Sequence, residues 1–129
     1  MPSEPPGITG FAQVALNVRD LDRAVAFYRD VLSLTFLFSA PPSLAFLQCG
    51  PTRVMLNGDP EAKPPTGGAI LYYAVPDIQT AFAAITATGG PIKEAPKSIA
   101  RVGGRDVWLG FTEDPDGHPV GLMSEVPFA

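Results

Sequence analysis

The chain is poor in the residues that most often carry chemistry. Of its 129 residues, one is cysteine and one is histidine. With Cys49 alone no intrachain disulfide can form, which fits a reducing, cytoplasmic setting. Cys49 closes an apolar stretch beside Gly50, the setting of a buried, inert thiol. His118 stands between Gly117 and Pro119, where a solvent-exposed turn residue is the simpler reading than an acid/base or a ligand. Charged residues make up 17% of the chain, the formal net charge is -4 and the pI is about 4.7. A chain this acidic has no broad basic face with which to neutralise phosphates, so no nucleic-acid partner is expected. Nor is there a run of 18 apolar residues, which excludes a membrane-spanning helix. Residues 1–7 are polar and proline-rich and lack the basic and apolar regions of a signal peptide.

What is present is core material. Hydrophobic residues account for 46% of a chain long enough for one domain. The 15 prolines and 13 glycines fall between apolar runs, as turn punctuation rather than as a disordered block.

An internal repeat organises the chain. Residues 12–26 (AQVALNVRDLDRAVA) superpose on residues 69–83 (AILYYAVPDIQTAFA), with identities at Ala12/Ala69, Val18/Val75, Asp20/Asp77, Ala24/Ala81 and Ala26/Ala83. Each copy changes from period-two alternation to helical spacing at the same place. In the first, Val14, Leu16 and Val18 alternate with Gln13, Ala15 and Asn17, Asp20 takes an N-cap position, and an apolar stripe runs over a helix at 21–33. In the second, a strand at 69–75 leads to the cap Asp77 and a helix at 78–88, which Gly89 and Gly90 end. Three short strands are predicted after each helix, at 35–39, 44–49 and 53–56, then at 91–95, 106–112 and 119–123. The fold class is therefore α+β, two tandem βαβββ modules at about 8–57 and 69–126. The proline-rich stretch 58–68 links them, and the pair forms one domain.

GFAQVALNVRDLDRAVAFYRDVLSL resembles the first strand and helix of the vicinal oxygen chelate superfamily, which includes glyoxalase I, bleomycin-resistance proteins and extradiol dioxygenases. YYAVPDIQTAFAAITATGG is similar to its second-module counterpart, and FTEDPDGHPVGLMSE to the closing hairpin with its DPDG turn. The resemblance covers about residues 8–126. It implies two four-stranded sheets forming a cupped, eight-stranded mixed sheet with helices on the outside and a ligand in the cup. It also implies a homodimer, with sites shared between chains in many small members.

Metal-using members hold a divalent ion on His, Gln or Glu side chains, one from the first and one from the last strand of each module. Carried over residue by residue, those positions are Gln13, Met55, Ile70 and Gly121. Isoleucine and glycine have no donor atom, a thioether suits soft ions, and one amide carbonyl cannot hold a divalent ion against water. No metal and no cofactor is expected. The pocket residues expected to line the cup are Gln13, Asn17, Met55, Ile70, Tyr72, Gly121 and Met123, with Trp108 from the aromatic strand and Arg101 from a loop. Alternation puts Trp108 and Phe111 on opposite faces without saying which faces inward. Arg101 and Arg105 flank Gly103-Gly104, either as a mobile lid presenting a cation or as a solvated hairpin. The lining is mostly apolar with a few polar anchors, as in a small-molecule pocket; the same side chains could instead fill the cup.

Three functions compete. One is a protein with a degenerate metal site that binds a small organic molecule. Another is a lyase, isomerase or dioxygenase of the same superfamily, metal-independent or with an atypical metal site. The third is a module that pairs with another protein, for which a filled cup and an exposed apolar patch elsewhere would be the sign.

Overall fold

A computed structural model describes residues 5–127. Its eleven elements repeat one plan: β1 (Gln13–Val18), α1 (Leu21–Ala26) continued by a π-helical turn (Phe27–Val31), β2 (Thr35–Ala40), β3 (Leu44–Cys49) and β4 (Thr52–Gly58), then β5 (Leu71–Ala74), α2 (Ile78–Ala87), β6 (Glu94–Val102), β7 (Arg105–Glu113) and β8 (Pro119–Pro127). The strands form two separate four-stranded mixed sheets, ordered β1-β4-β3-β2 and β5-β8-β7-β6. In each, the first strand lies parallel to the last and the other pairs are antiparallel.

Both predicted caps form. The Asp20 carboxylate accepts from the Arg23 backbone N–H at 3.1 Å, and Asp77 accepts from Gln79 and Thr80 at 3.0 and 3.2 Å. Val18, Val54, Leu56, Ala45 and Leu47 of the first sheet share one buried cluster with Ala24, Phe27 and Tyr28, and with Ile78, Phe82, Ile85, Val120 and Leu122 of the second module. Each sheet thus turns its helix-side face into a common core.

Three sequence expectations are corrected. The helix at 21–33 is α-helical only to Ala26. The wider π turn that follows carries two consecutive residues, Phe27 and Tyr28, into the core, which a regular helix would turn 100° apart. The strand at 69–75 shortens to Leu71–Ala74, leaving Ile70 just outside it. The strand at 91–95 lies instead at Glu94–Val102. Pro96 and the polar residues around it argue against an interior strand, but β6 is an edge strand with two register shifts, where a missing N–H and a break in the ladder are tolerated.

Gly103 and Gly104 make the two-residue turn between β6 and β7, with Val102 opposite Arg105. Their φ angles are +59° and +77°, the type I′ pattern that matches strand twist. This is the hairpin alternative, not a lid. Replacing both with alanine is expected to cost about 1–2 kcal/mol per residue, read as a lower urea midpoint at unchanged m-value; an unchanged midpoint would contradict the turn assignment.

Candidate functional site

The face of each sheet turned away from the core is where the family site would lie. In the first sheet, register places Gln13 opposite Arg53, Ala15 opposite Met55, Asn17 opposite Asn57 and Phe46 opposite Met55. These side chains share the face opposite Val14, Leu16, Val54 and Leu56. They touch one another in sequence across the face. Arg53 Nε donates to Gln13 Oε1 at 3.2 Å, Gln13 Nε2 lies 3.7 Å from the Met55 sulfur, and Asn57 donates to Asn17 at 3.1 Å. The Arg53 guanidinium sits 5.6 Å from the centre of the Phe46 ring, and Phe46 stacks on Phe38 at 4.7 Å.

In the second sheet, Tyr72 pairs with Gly121 as Ala15 pairs with Met55. The two modules are in equivalent register at these positions. A Cβ on Gly121 would come within 2.6 Å of Tyr72 Cδ1 and 3.2 Å of Phe111 Cε1. The missing side chain is therefore the seat of an aromatic pair, Tyr72 and Phe111, whose centres are 5.7 Å apart in an edge-to-face arrangement. Met123 lies on the same face, two residues beyond Gly121.

Trp108 does not join them. It pairs with Ser124 and packs against the core from the helix side. The local cause is Gly110, two residues on, over which the Phe82 ring of α2 lies so closely that a Cβ would be 2.7 Å from it. That contact fixes the helix face of β7 and turns Phe111 to the other side. Arg101 is likewise off the site. It belongs to β6 and pairs with Asp106 at 3.0 Å, on the same side as Trp108. Arg53, which the sequence reading left out, belongs to the site; its parity with Met55, two residues on, was the available signal.

The remaining assigned residues fall in two groups, one on each sheet. The 430 Å³ cavity between the modules is lined by Ile70 to Ala74 on one side and by Val14 and Val54 on the other. Val14 and Val54 point to the opposite face of the first sheet from Gln13 and Met55. So β5 borders the helix side of the first sheet, and Tyr72 shares a cavity with Val14 and Val54, which lie on the opposite face of that sheet from Gln13 and Met55. Ile70 and Tyr72 are 45% and 44% exposed. The accessible surface of 8133 Å² compares with about 6,600 Å² for a compact monomer of this mass.

The four positions of the family metal set do not fit a divalent ion. Gln13 has its carbonyl oxygen committed to Arg53, whose positive charge opposes a second cation. Met55 offers a thioether, Ile70 offers nothing, and Gly121 lies beneath a tyrosine ring. Among the described residues, no group of three or more His, Cys, Asp or Glu side chains is clustered to hold a metal.

His118 and Cys49 lie at the junction of the modules, behind both faces. His118 Nε2 is 2.9 Å from the Asn17 carbonyl oxygen, which ties the DPDG turn to the end of β1. Burial pushes the Cys49 thiol pKa up, the opposite of what a nucleophile needs. No helix among the described residues is long and apolar enough to cross a membrane.

Paired βαβββ modules, each a four-stranded mixed sheet with a helix on one face, define a glyoxalase-type fold. The sequence pattern of the Glyoxalase/Bleomycin resistance protein/Dioxygenase superfamily matches residues 10–122, and the chain belongs to that superfamily. Over 117 residues it is 29% identical to the lactoylglutathione lyase of Haemophilus influenzae, covering 81% of this chain and 84% of that one. Among solved structures, a lactoylglutathione lyase from Agrobacterium tumefaciens superposes with a TM-score of 0.71 at 23% identity, covering 93% and 95% of the two chains. A protein from the mobile metagenome of V. Pseudocholerae superposes with a TM-score of 0.75 at 22% identity, covering 94% and 98%. At such identities these likenesses establish the fold.

Proposed function

We propose that the protein is a metal-independent, cytoplasmic binder of a small organic molecule, working as a homodimer whose cups each join the first sheet of one chain to the second sheet of the other. The observation that carries this reading is the division of the site. Polar anchors (Gln13, Asn17, Arg53) stand on one sheet and an aromatic clamp (Tyr72, Phe111) on the other, and Tyr72 shares its cavity with Val14 and Val54 rather than with Gln13 and Met55. A second copy related by a two-fold axis supplies the missing half to both.

Elemental analysis of protein purified without chelator tests the metal part. The expected result is no Zn, Ni, Fe or Mn near one per chain. Stoichiometric metal would overturn the reading and favour a second one, a lyase like the Haemophilus influenzae relative. Lactoylglutathione lyase activity, measured with and without added divalent metal, is the direct check on that alternative. Light scattering is expected to give twice the 13.6 kDa chain mass; a single-chain mass at micromolar concentration would sink the shared cup.

A further inference from the structure

We infer that the ligand is an anion with an aromatic ring, its carboxylate or equivalent oxyanion held by Arg53. The inference rests on the ligand-binding reading above and names the chemistry of the same site. Its basis is the imbalance of charge and of hydrogen-bonding groups on the first sheet. The four strands of that sheet contain no aspartate and no glutamate, and Arg53 is their only charged residue. Lys93, Lys97 and Arg101, which belong to the second module, are each paired with an acid.

Arg53 is also held in place. Its Nε donates to Gln13 Oε1 and its guanidinium lies over Phe46, which stacks on Phe38. Those contacts leave the terminal amino groups, the edge that grips a carboxylate with two parallel bonds, without a protein partner among the described residues. Gln13 adds to the surplus of donors. Its oxygen is taken by Arg53, so its amide N–H groups face Met55, whose sulfur is a weak acceptor. An oxyanion placed there gains the guanidinium edge and one amide N–H. A cation would meet repulsion, and a neutral amide would gain only ordinary hydrogen bonds. The rings argue for the other half of the ligand. Phe38 is 47% exposed at the end of its stack, and the Tyr72–Phe111 pair of the second sheet offers a further aromatic surface.

The test is calorimetric titration of the full-length protein with three probes of one shape: benzoate, benzamide and benzylammonium. Benzoate is expected to bind about tenfold tighter than benzamide, the factor that a charge-assisted pair adds over a neutral one. Benzylammonium is expected to be weakest. R53M should abolish the preference for benzoate, and R53K, which keeps the charge and loses the two-pronged edge, should retain part of it. Arg53 is exposed, and circular dichroism confirms that the variants fold. Equal binding of benzoate and benzamide, or a preference for benzylammonium, overturns the anion assignment and leaves ligand binding standing. Dissociation of the dimer by R53M at unchanged benzoate affinity also overturns it, since Arg53 would then serve the interface. Binding of none of the three overturns the ligand-binding reading and the assignment together.

Discussion

Asp114→Ala is expected to destabilise the fold by about 3–5 kcal/mol, seen as a fall in Tm of roughly 10–15 °C. The expectation comes from what converges on one carboxylate. Tyr28, on the π turn of the first module, donates its hydroxyl to Asp114 Oδ2 at 2.8 Å, while the backbone N–H groups of Asp116 and His118 donate to Oδ1 at 2.9 and 2.8 Å. Tyr28 is 1% and Asp114 3% exposed, so the alanine variant leaves three donors without an acceptor, in places that water does not easily reach. Tyr28→Phe removes one donor from the same network and should cost only about 1 kcal/mol. A loss in the alanine variant no larger than that of Y28F would show that the carboxylate is not the joint between the modules.

The same residue sets a pH signature. Burial, the dominant influence, raises the Asp114 pKa, against the hydrogen bonds from Tyr28 and His118 that lower it. A raised pKa means that the folded chain holds this proton more tightly than the unfolded one. The associated stability is present in full below the unfolded value and is lost as pH rises through the folded value. Asp77 acts in the opposite sense: its bond from the Thr80 backbone N–H lowers its pKa, so its contribution fades as pH falls. Comparing wild type with D114N cancels the Asp77 contribution. The stability of wild type relative to D114N should grow between about pH 7 and pH 4; a difference that shrinks over that range would mean that the bonds to the carboxylate outweigh its desolvation.

Much of this architecture is legible from alternation. The strand-to-helix switch at Asp20 and Asp77 falls where the caps form, and the parity of Gln13, Ala15 and Asn17 against Val14, Leu16 and Val18 separates the outward face from the core. Parity could not decide β7, where Trp108 and Phe111 are equally eligible to face the ligand. The deciding contact is Phe82 against Gly110, 28 residues apart in sequence and joined only by the fold. β6 was hidden for a different reason. An edge strand has one hydrogen-bonded neighbour, so its sequence can carry Pro96 and a largely exposed run that no central strand would tolerate. Arg53 carries no signal in a pattern of metal ligands, since a guanidinium offers only donors. On this face the strands carry N–H donors, Arg53 and Gln13, and no acid. How the two modules meet is not written in any periodicity, since a cup within one chain and a cup between chains need the same alternation. What bears on the choice is the cavity that Val14 and Val54 share with β5.

That arrangement leads to a subunit-complementation result. Arg53→Met disables the first-sheet half of the site, and Tyr72→Ser removes one ring of the second-sheet half. Each variant alone is expected to bind benzoate about tenfold more weakly, because every cup in its homodimer carries the lesion. When the two are unfolded together and refolded as an equimolar mixture, half of the dimers are mixed. In a mixed dimer, one cup combines the first sheet of the Tyr72→Ser chain with the second sheet of the Arg53→Met chain, and both of those are wild type. The other cup carries both substitutions. About a quarter of all cups should then be intact and titrate with wild-type affinity, the proportion that two-fold symmetry and random pairing dictate. A site contained within one chain predicts no recovery at all, because every chain in the mixture is defective. The experiment therefore separates a shared cup from a private one even if both proteins are dimers. Both lesions sit on exposed faces, so their effect on folding is expected to stay within about 1 kcal/mol, and a stability measurement on each variant before mixing excludes misfolding as the cause of the loss.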